Sequence, residues 1–320
     1  MSESFTRSSF NYGGQAIIEG VMMRGARVLS LAVRNPEGEI VLHTEQLDPR
    51  IYGGRLARIP FLRGVTLLWD ALGLGIKSLM FSAEVALEEE KKEGQENVFE
   101  GPIQWGTIAI SLTFAVVLFF MLPAFLAGRI EVWIDLEPSG ILSNIVEGAI
   151  RLTLLIGYIW IIGRLPDIRR LYGYHGAEHK TINAYEAGAE LTPPVVAGYS
   201  LQHPRCGTAF LLTVVVISIL FFSLFPPMSI PLRVLSRVIF LPVVAGIAYE
   251  FIRFTAKHQD KALIRAITKP NLALQLLTTN EPDEGMLEVA IAAFEQVLAA
   301  EQIEPVASDS LTLIKSPASD

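Results

Sequence analysis

Four long stretches with little or no charge dominate the middle of this chain. The first, Ile103 to Ala127, lies in an uncharged run bounded by Glu100 and Arg129. It is long enough to cross a hydrocarbon core of roughly 30 Å. The second, about Ile145 to Gly163, opens with Glu147 and Arg151, an i,i+4 pair suited to the headgroup level. The third, Gly207 to Phe225, is free of charge and is ended by Pro226 and Pro227. The fourth, about Leu232 to Phe254, ends with Glu250 and Arg253. The pattern predicts a mainly α polytopic membrane protein with about four transmembrane helices over residues 101–256.

Other periodicities flank this unit. Residues 1–55 read as a β-rich lead-in. Two β-prone runs, Val28 to Val33 and Glu39 to Thr44, surround the turn residues Asn35-Pro36-Glu37-Gly38, a hairpin signal. Residues 56–100 combine a helix with a charged linker. In the helix Arg63, Asp70, Lys77 and Glu84 recur every seven residues and share one face of a largely apolar segment. That suits an amphipathic helix at the membrane interface better than a full span, in which four charges would sit in hydrocarbon. Residues 257–305 predict two soluble helices, the second starting near Pro282 with the apolar stripe Leu287, Ile291, Phe294 and Leu298. Residues 306–320 read as a disordered tail.

Composition agrees with a membrane protein. Hydrophobic residues make up 51% of the chain, charged residues 18%, and mean hydropathy is +0.42. The net charge of −7 leaves no general basic field to attract nucleic acid. The N-terminus has no apolar core of the signal-peptide kind. With a cytoplasmic N-terminus, the inner flanks of the four spans carry twelve Lys and Arg, against Arg129, Arg233 and Arg237 outside. This predicts a multi-pass protein of the cytoplasmic membrane with both termini inside. Residues 164–206 then form a cytoplasmic loop, too long to be a mere connector.

That loop carries the candidate chemistry. YHGAEHKTINAY, residues 174–185, contains His175, Glu178 and His179. On a helix the i and i+4 imidazoles lie one above the other, with the i+3 carboxylate on nearly the same face. This is the inverted form of the zincin pattern, in which two imidazoles hold Zn2+ and the carboxylate is the general base. Glu186 continues the same face, but eleven residues at 1.5 Å rise put it about 16 Å from His175, too far to share an ion. It is left to support the site or to contact substrate. The far end of the loop, HPRCG, offers His203 and Cys206 as a second half-site. If the second and third spans are neighbours, the two half-sites meet. Four protein ligands argue for a structural ion, whereas three plus water leave an open catalytic position. Glu250, near the end of a span, and Glu19, in the glycine-rich lead-in, are further candidates. The lone cysteine excludes an intramolecular disulfide and a Cys-only zinc site.

The runs GGQAIIEGVMMRG, YHGAEHKTINAYE, HPRCGTAF and LTTNEPDEGMLEVAIAAF resemble the YqhQ-like family of bacterial membrane proteins, over roughly residues 11–300. The resemblance implies the membrane topology and a metal-dependent enzyme, without supplying a substrate or reaction. The functional expectation is a zinc-dependent hydrolase at the cytoplasmic membrane surface, acting on a membrane-protein or lipid-linked substrate, with Glu178 as catalytic base. The alternative is a membrane scaffold whose His/Cys cluster holds a structural ion. Transport is disfavoured, because four spans with few intramembrane charges and no visible repeat give a thin pathway.

Overall fold

The computed structural model describes residues 12–49, 59–86, 102–134, 140–226, 228–258, 260–302 and 310–314. Strands β1 (Gly13–Ile17), β2 (Gly20–Arg24), β3 (Val28–Arg34) and β4 (Ile40–Gln46) form an antiparallel sheet in chain order. The predicted hairpin is β3–β4, with Arg34 opposite Ile40. Its turn is fixed by Asn35 Oδ1, which accepts from the Glu39 amide at 2.7 Å. Gly38 supplies the positive φ of 85°. The glycine-rich lead-in forms β1 and β2. A fifth strand, β5 (Ser310–Ile314), pairs antiparallel along β4. These five residues lie in the tail that reads as disordered. Their Leu-Thr-Leu-Ile run is β-prone, and β4 offers an edge for it.

Both faces of the sheet are covered. Val21, Met23, Ala32 and Leu42 join a core with helices α5 (Pro166–Ala187) and α11 (Glu284–Gln302). Met22, Leu31, Val33 and Val41 pack instead on α1 (Leu62–Ala86), through Leu74, Phe81 and Val85. The charged stripe of α1 is used within the protein: Lys77 pairs with Glu45 of β4 at 2.5 Å, and Arg63 pairs with Glu250. Trp69, Leu72 and Leu79 stay exposed. The helix is long and apolar enough to cross a membrane. Its second half packs on the sheet through Leu74, Phe81 and Val85.

The remaining helices form a bundle. Two segments in it are long and apolar enough for spans, Gly106–Trp133 and Ile141–Ile162. The first joins α2 (Pro102–Val116) to α3 (Leu122–Trp133) through one π-helical turn at Val117–Met121. The second belongs to α4 (Gly140–Ile162). The third predicted span becomes α7 (Thr208–Phe222), 15 residues and about 22 Å long. The fourth is broken into α8 (Ile230–Ile239) and α9 (Leu241–Lys257), bent by 51° at Phe240 just before Pro242. A short helix, α6 (Pro193–Val196), and α10 (Ala262–Gln275) complete the elements. Leu155 and Ile159 of α4 pack with Val215 of α7 and Leu274 of α10, so the second and third apolar segments are neighbours.

The bundle is inverted relative to a water-soluble protein. On α8 Arg237 is 1% exposed and Arg233 5%, while Leu232 and Leu235 are each about half exposed, 51% and 53%. The buried charges form one network. Glu147 pairs with Arg151 at 2.7 Å and with Arg237 at 2.6 Å, and Arg233 pairs with Glu131 at 3.0 Å. The Glu147–Arg151 pair thus lies inside the bundle, where sequence suggested the headgroups. Pro123 has no N–H to give Phe119 four residues earlier, and Arg151 Nε donates to that carbonyl at 2.8 Å. Breaking a buried pair leaves an uncompensated charge. Glu147→Gln is expected to cost about 3–5 kcal/mol of stability, read by reversible unfolding in bicelles. An unchanged unfolding midpoint would show that the network is not what fixes α8.

Candidate metal centre

Helix α5 is built to present its motif. Pro166 and Asp167 occupy its first turn, and Gly188, at φ 82°, caps its end through bonds to Ala184 and Tyr185. His175, Glu178 and His179 fall along its buried middle. Gly176 lets the segment after α10 lie directly on the helix. A Cβ there would stand 2.2 Å from the Asn280 carbonyl oxygen. The same segment carries Thr278, whose carbonyl accepts from His175 Nδ1 at 2.8 Å. On the other side the Leu201 carbonyl accepts from His179 Nδ1 at 2.5 Å.

These two bonds fix the chemistry of both rings. A carbonyl only accepts, so each neutral imidazole carries its proton on Nδ1 and its lone pair on Nε2. Both Nε2 atoms then point to one place. Cys206 Sγ lies 3.2 Å from His175 Nε2, and the three donor atoms all fall within 4.8 Å of one another. His179 Nε2 is buried and has no hydrogen-bond partner among the described residues. Glu178 Oε2 stands 3.9 Å from His175 Nε2 and 3.7 Å from His179 Nε2. Burial pushes the Glu178 carboxyl above the usual carboxylate range, against the opposing pull of His175, His203 and the Gly14 amide. Thr208 holds Cys206 from the far side, its hydroxyl 3.1 Å from Sγ.

The other sequence candidates sit around this group. His203 is beside His179, with ring centroids 5.7 Å apart. Its Nε2 turns away to Glu186, 3.9 Å distant, and to Arg205 at 3.3 Å. Buried Gln275 holds the His203 backbone by two bonds, 2.9 and 2.8 Å. Glu186 is anchored by its contacts with His203 and Arg205, which hold its carboxyl below the usual range. It supports the rim, as its place on α5 suggests, and is not among the converging donors. Glu250 is engaged by Arg63 Nε at 2.7 Å. Glu19, at φ 50° in the β1–β2 turn, accepts from Arg170 Nε at 2.6 Å and from the Tyr174 hydroxyl at 3.2 Å. Both carboxylates are used structurally.

Gly14 of β1 belongs to the site although sequence reading left it unassigned. A Cβ there would meet Glu178 Cγ at 2.8 Å. The glycine-rich run was the available signal. The Thr278 and Leu201 carbonyls left no sequence signal, because any residue supplies a carbonyl.

A family model described as "Protein of unknown function (DUF1385)" matches residues 59–300. The chain belongs to that family. The "Uncharacterized protein YqhQ" of Bacillus subtilis (strain 168) is similar to it, 36% identical over 303 residues, covering 91% of this chain and 93% of the relative. No solved structure matches.

Gly176→Ala is expected to push the Thr278–Asn280 segment off α5, at a cost of about 1–3 kcal/mol. Gly13→Ala, with nothing within 4 Å of the new Cβ, serves as its control. Thermal unfolding of both in detergent checks this. Equal midpoints would mean that the close approach at Gly176 is not needed.

Proposed function

We propose that the chain is a zinc-dependent hydrolase of the cytoplasmic membrane. His175, His179 and Cys206 hold the ion, and Glu178 is the general base. The observation that carries this reading is the pair of Nδ1–H bonds to Leu201 and Thr278. They aim two Nε2 lone pairs at Cys206 Sγ and leave one of them buried without a partner. A carbonyl behind each ligating imidazole is the usual outer shell of a zinc site. Two nitrogens and one sulfur suit Zn2+, whose tetrahedral bonds of about 2.0–2.3 Å place ligands roughly 3.5 Å apart. The three donor atoms, all within 4.8 Å of one another and 3.2 Å apart between His175 Nε2 and Cys206 Sγ, bracket that spacing.

A bound zinc ion would lower the pKa of a water in its fourth position towards neutrality. Glu178, close to both imidazole Nε2 atoms, would be the base that carries a proton from water to the leaving group. His203 Nε2 lies near Glu186 and Arg205, so three protein ligands would hold the ion. The apolar exterior and charged interior of the bundle support the membrane placement. The Lys and Arg distribution supports a cytoplasmic site with both termini inside. Arg233 and Arg237, two of the three basic residues on the outer side, are in any case consumed by buried ion pairs.

The second reading is a scaffold with a structural ion. It is favoured by how the cluster ties residues 201–206 and 278 to α5. Elemental analysis of protein purified under zinc-replete conditions separates the two. About one zinc per chain is expected in the wild type and in Glu178→Gln, with strong loss in His175→Ala, His179→Ala and Cys206→Ser. Hydrolysis, once a substrate is in hand, is expected to vanish in Glu178→Gln. A wild type without zinc would overturn the metal site. A fully active Glu178→Gln would leave only the structural ion.

A further inference from the structure

We infer that the open edge of β1 receives an extended polypeptide, which pairs antiparallel with Gly14 and Ala16 and is cleaved beside Glu178. This deepens the hydrolase reading above and rests on it. Among the described residues β1 is an outer strand of the sheet, paired only with β2. The two-residue turn Ile18–Glu19 closes on the pair Ile17–Gly20. A closing pair of that kind exchanges both of its backbone bonds, and the pattern alternates from there. Ile17, Gln15 and Gly13 therefore bond to β2, while Gly14 and Ala16 turn their N–H and C=O outward.

This outward register meets the site. The Glu178 side chain lies against Gly14, where an added Cβ would stand 2.8 Å from its Cγ, so the edge leads directly to the general base. Gly13 and Gly14 carry no side chains, and a Cβ at Gly13 would meet nothing within 4 Å. A strand paired at this edge would lie at the usual spacing of about 4.8 Å. Gly14 and Ala16, two residues apart, match alternate residues of an extended partner, which is how strand addition reads a peptide. A lipid ester has no amide N–H to give the Gly14 and Ala16 carbonyls. A transmembrane helix has already spent its own and must unwind first.

The reaction balances without a redox partner. The water oxygen bonds to the scissile carbonyl carbon, and the C–N bond breaks. Glu178 carries the water proton to the departing nitrogen, so one carboxyl and one amine form.

The test uses wild-type, full-length, zinc-replete protein in detergent and four probes. These are acetohydroxamate, a capped dipeptidyl hydroxamate, the same compound N-methylated at its backbone amides, and decanoyl hydroxamate. Two backbone hydrogen bonds predict that the dipeptidyl compound displaces a fluorescent competitor at least about tenfold more tightly than acetohydroxamate. N-methylation is expected to erase that gain. Equal binding of dipeptidyl and N-methyl forms, or decanoyl hydroxamate as the tightest probe, would overturn strand docking and leave the zinc site standing. Failure of all four to bind would overturn the hydrolase reading, and this inference with it.

Discussion

Two hydrogen bonds from imidazole Nδ1 to backbone carbonyls organise the centre of this protein. They come from opposite directions, Leu201 in the segment before α7 and Thr278 in the segment after α10. Each fixes a ring's tautomer and at the same time ties a distant piece of chain to α5. The elements around α5 have matching roles. Gln275 grips the backbone at His203. The absence of a side chain at Gly176 lets Asn280 lie on the helix. Gly14 brings the sheet to Glu178. The site is therefore a junction of the sheet layer, the loop and the bundle.

The bundle solves a different problem with similar means. Its exterior offers Leu, Ile, Val and Phe, and its interior holds Glu131, Glu147, Arg151, Arg233 and Arg237. In a low-dielectric surrounding such charges persist only when each is paired and its remaining donors are satisfied. The Phe119 carbonyl, released by Pro123, and the side chains of Asn144 and Ser218 complete that pairing. The network joins α3, α4, α7 and α8. It gives α8, whose apolar face points outward, a fixed place in the bundle.

Much of this was legible in the sequence. The i, i+3, i+4 spacing of His175, Glu178 and His179 predicts one helical face, and α5 presents it. Cys206 is brought to His175 because α4 and α7 pack, as the half-site reasoning required. His203 escapes that reasoning: a pair of residues two apart reads as one half-site, but Glu186 and Arg205 draw the imidazole the other way. Glu250 stood out as a carboxylate near the end of a span and Glu19 as one in the glycine-rich lead-in, and their partners, Arg63 and Arg170, lie far off in the chain. Backbone acceptors such as Thr278 carry no residue signature. The fourth apolar stretch was expected as one span and is broken into α8 and α9, with Pro242 the signal that reading passed over, whereas the inward turn of Arg233 and Arg237 depends on tertiary partners.

The proposed function requires that His175, His179 and Cys206 share one ion. X-ray absorption at the zinc edge of the purified protein tests it most directly. One sulfur at about 2.3 Å and two imidazoles at about 2.0–2.1 Å are expected, with the sulfur shell lost in Cys206→Ser. A shell of light atoms only in the wild type, or a spectrum unchanged by Cys206→Ser, would contradict it.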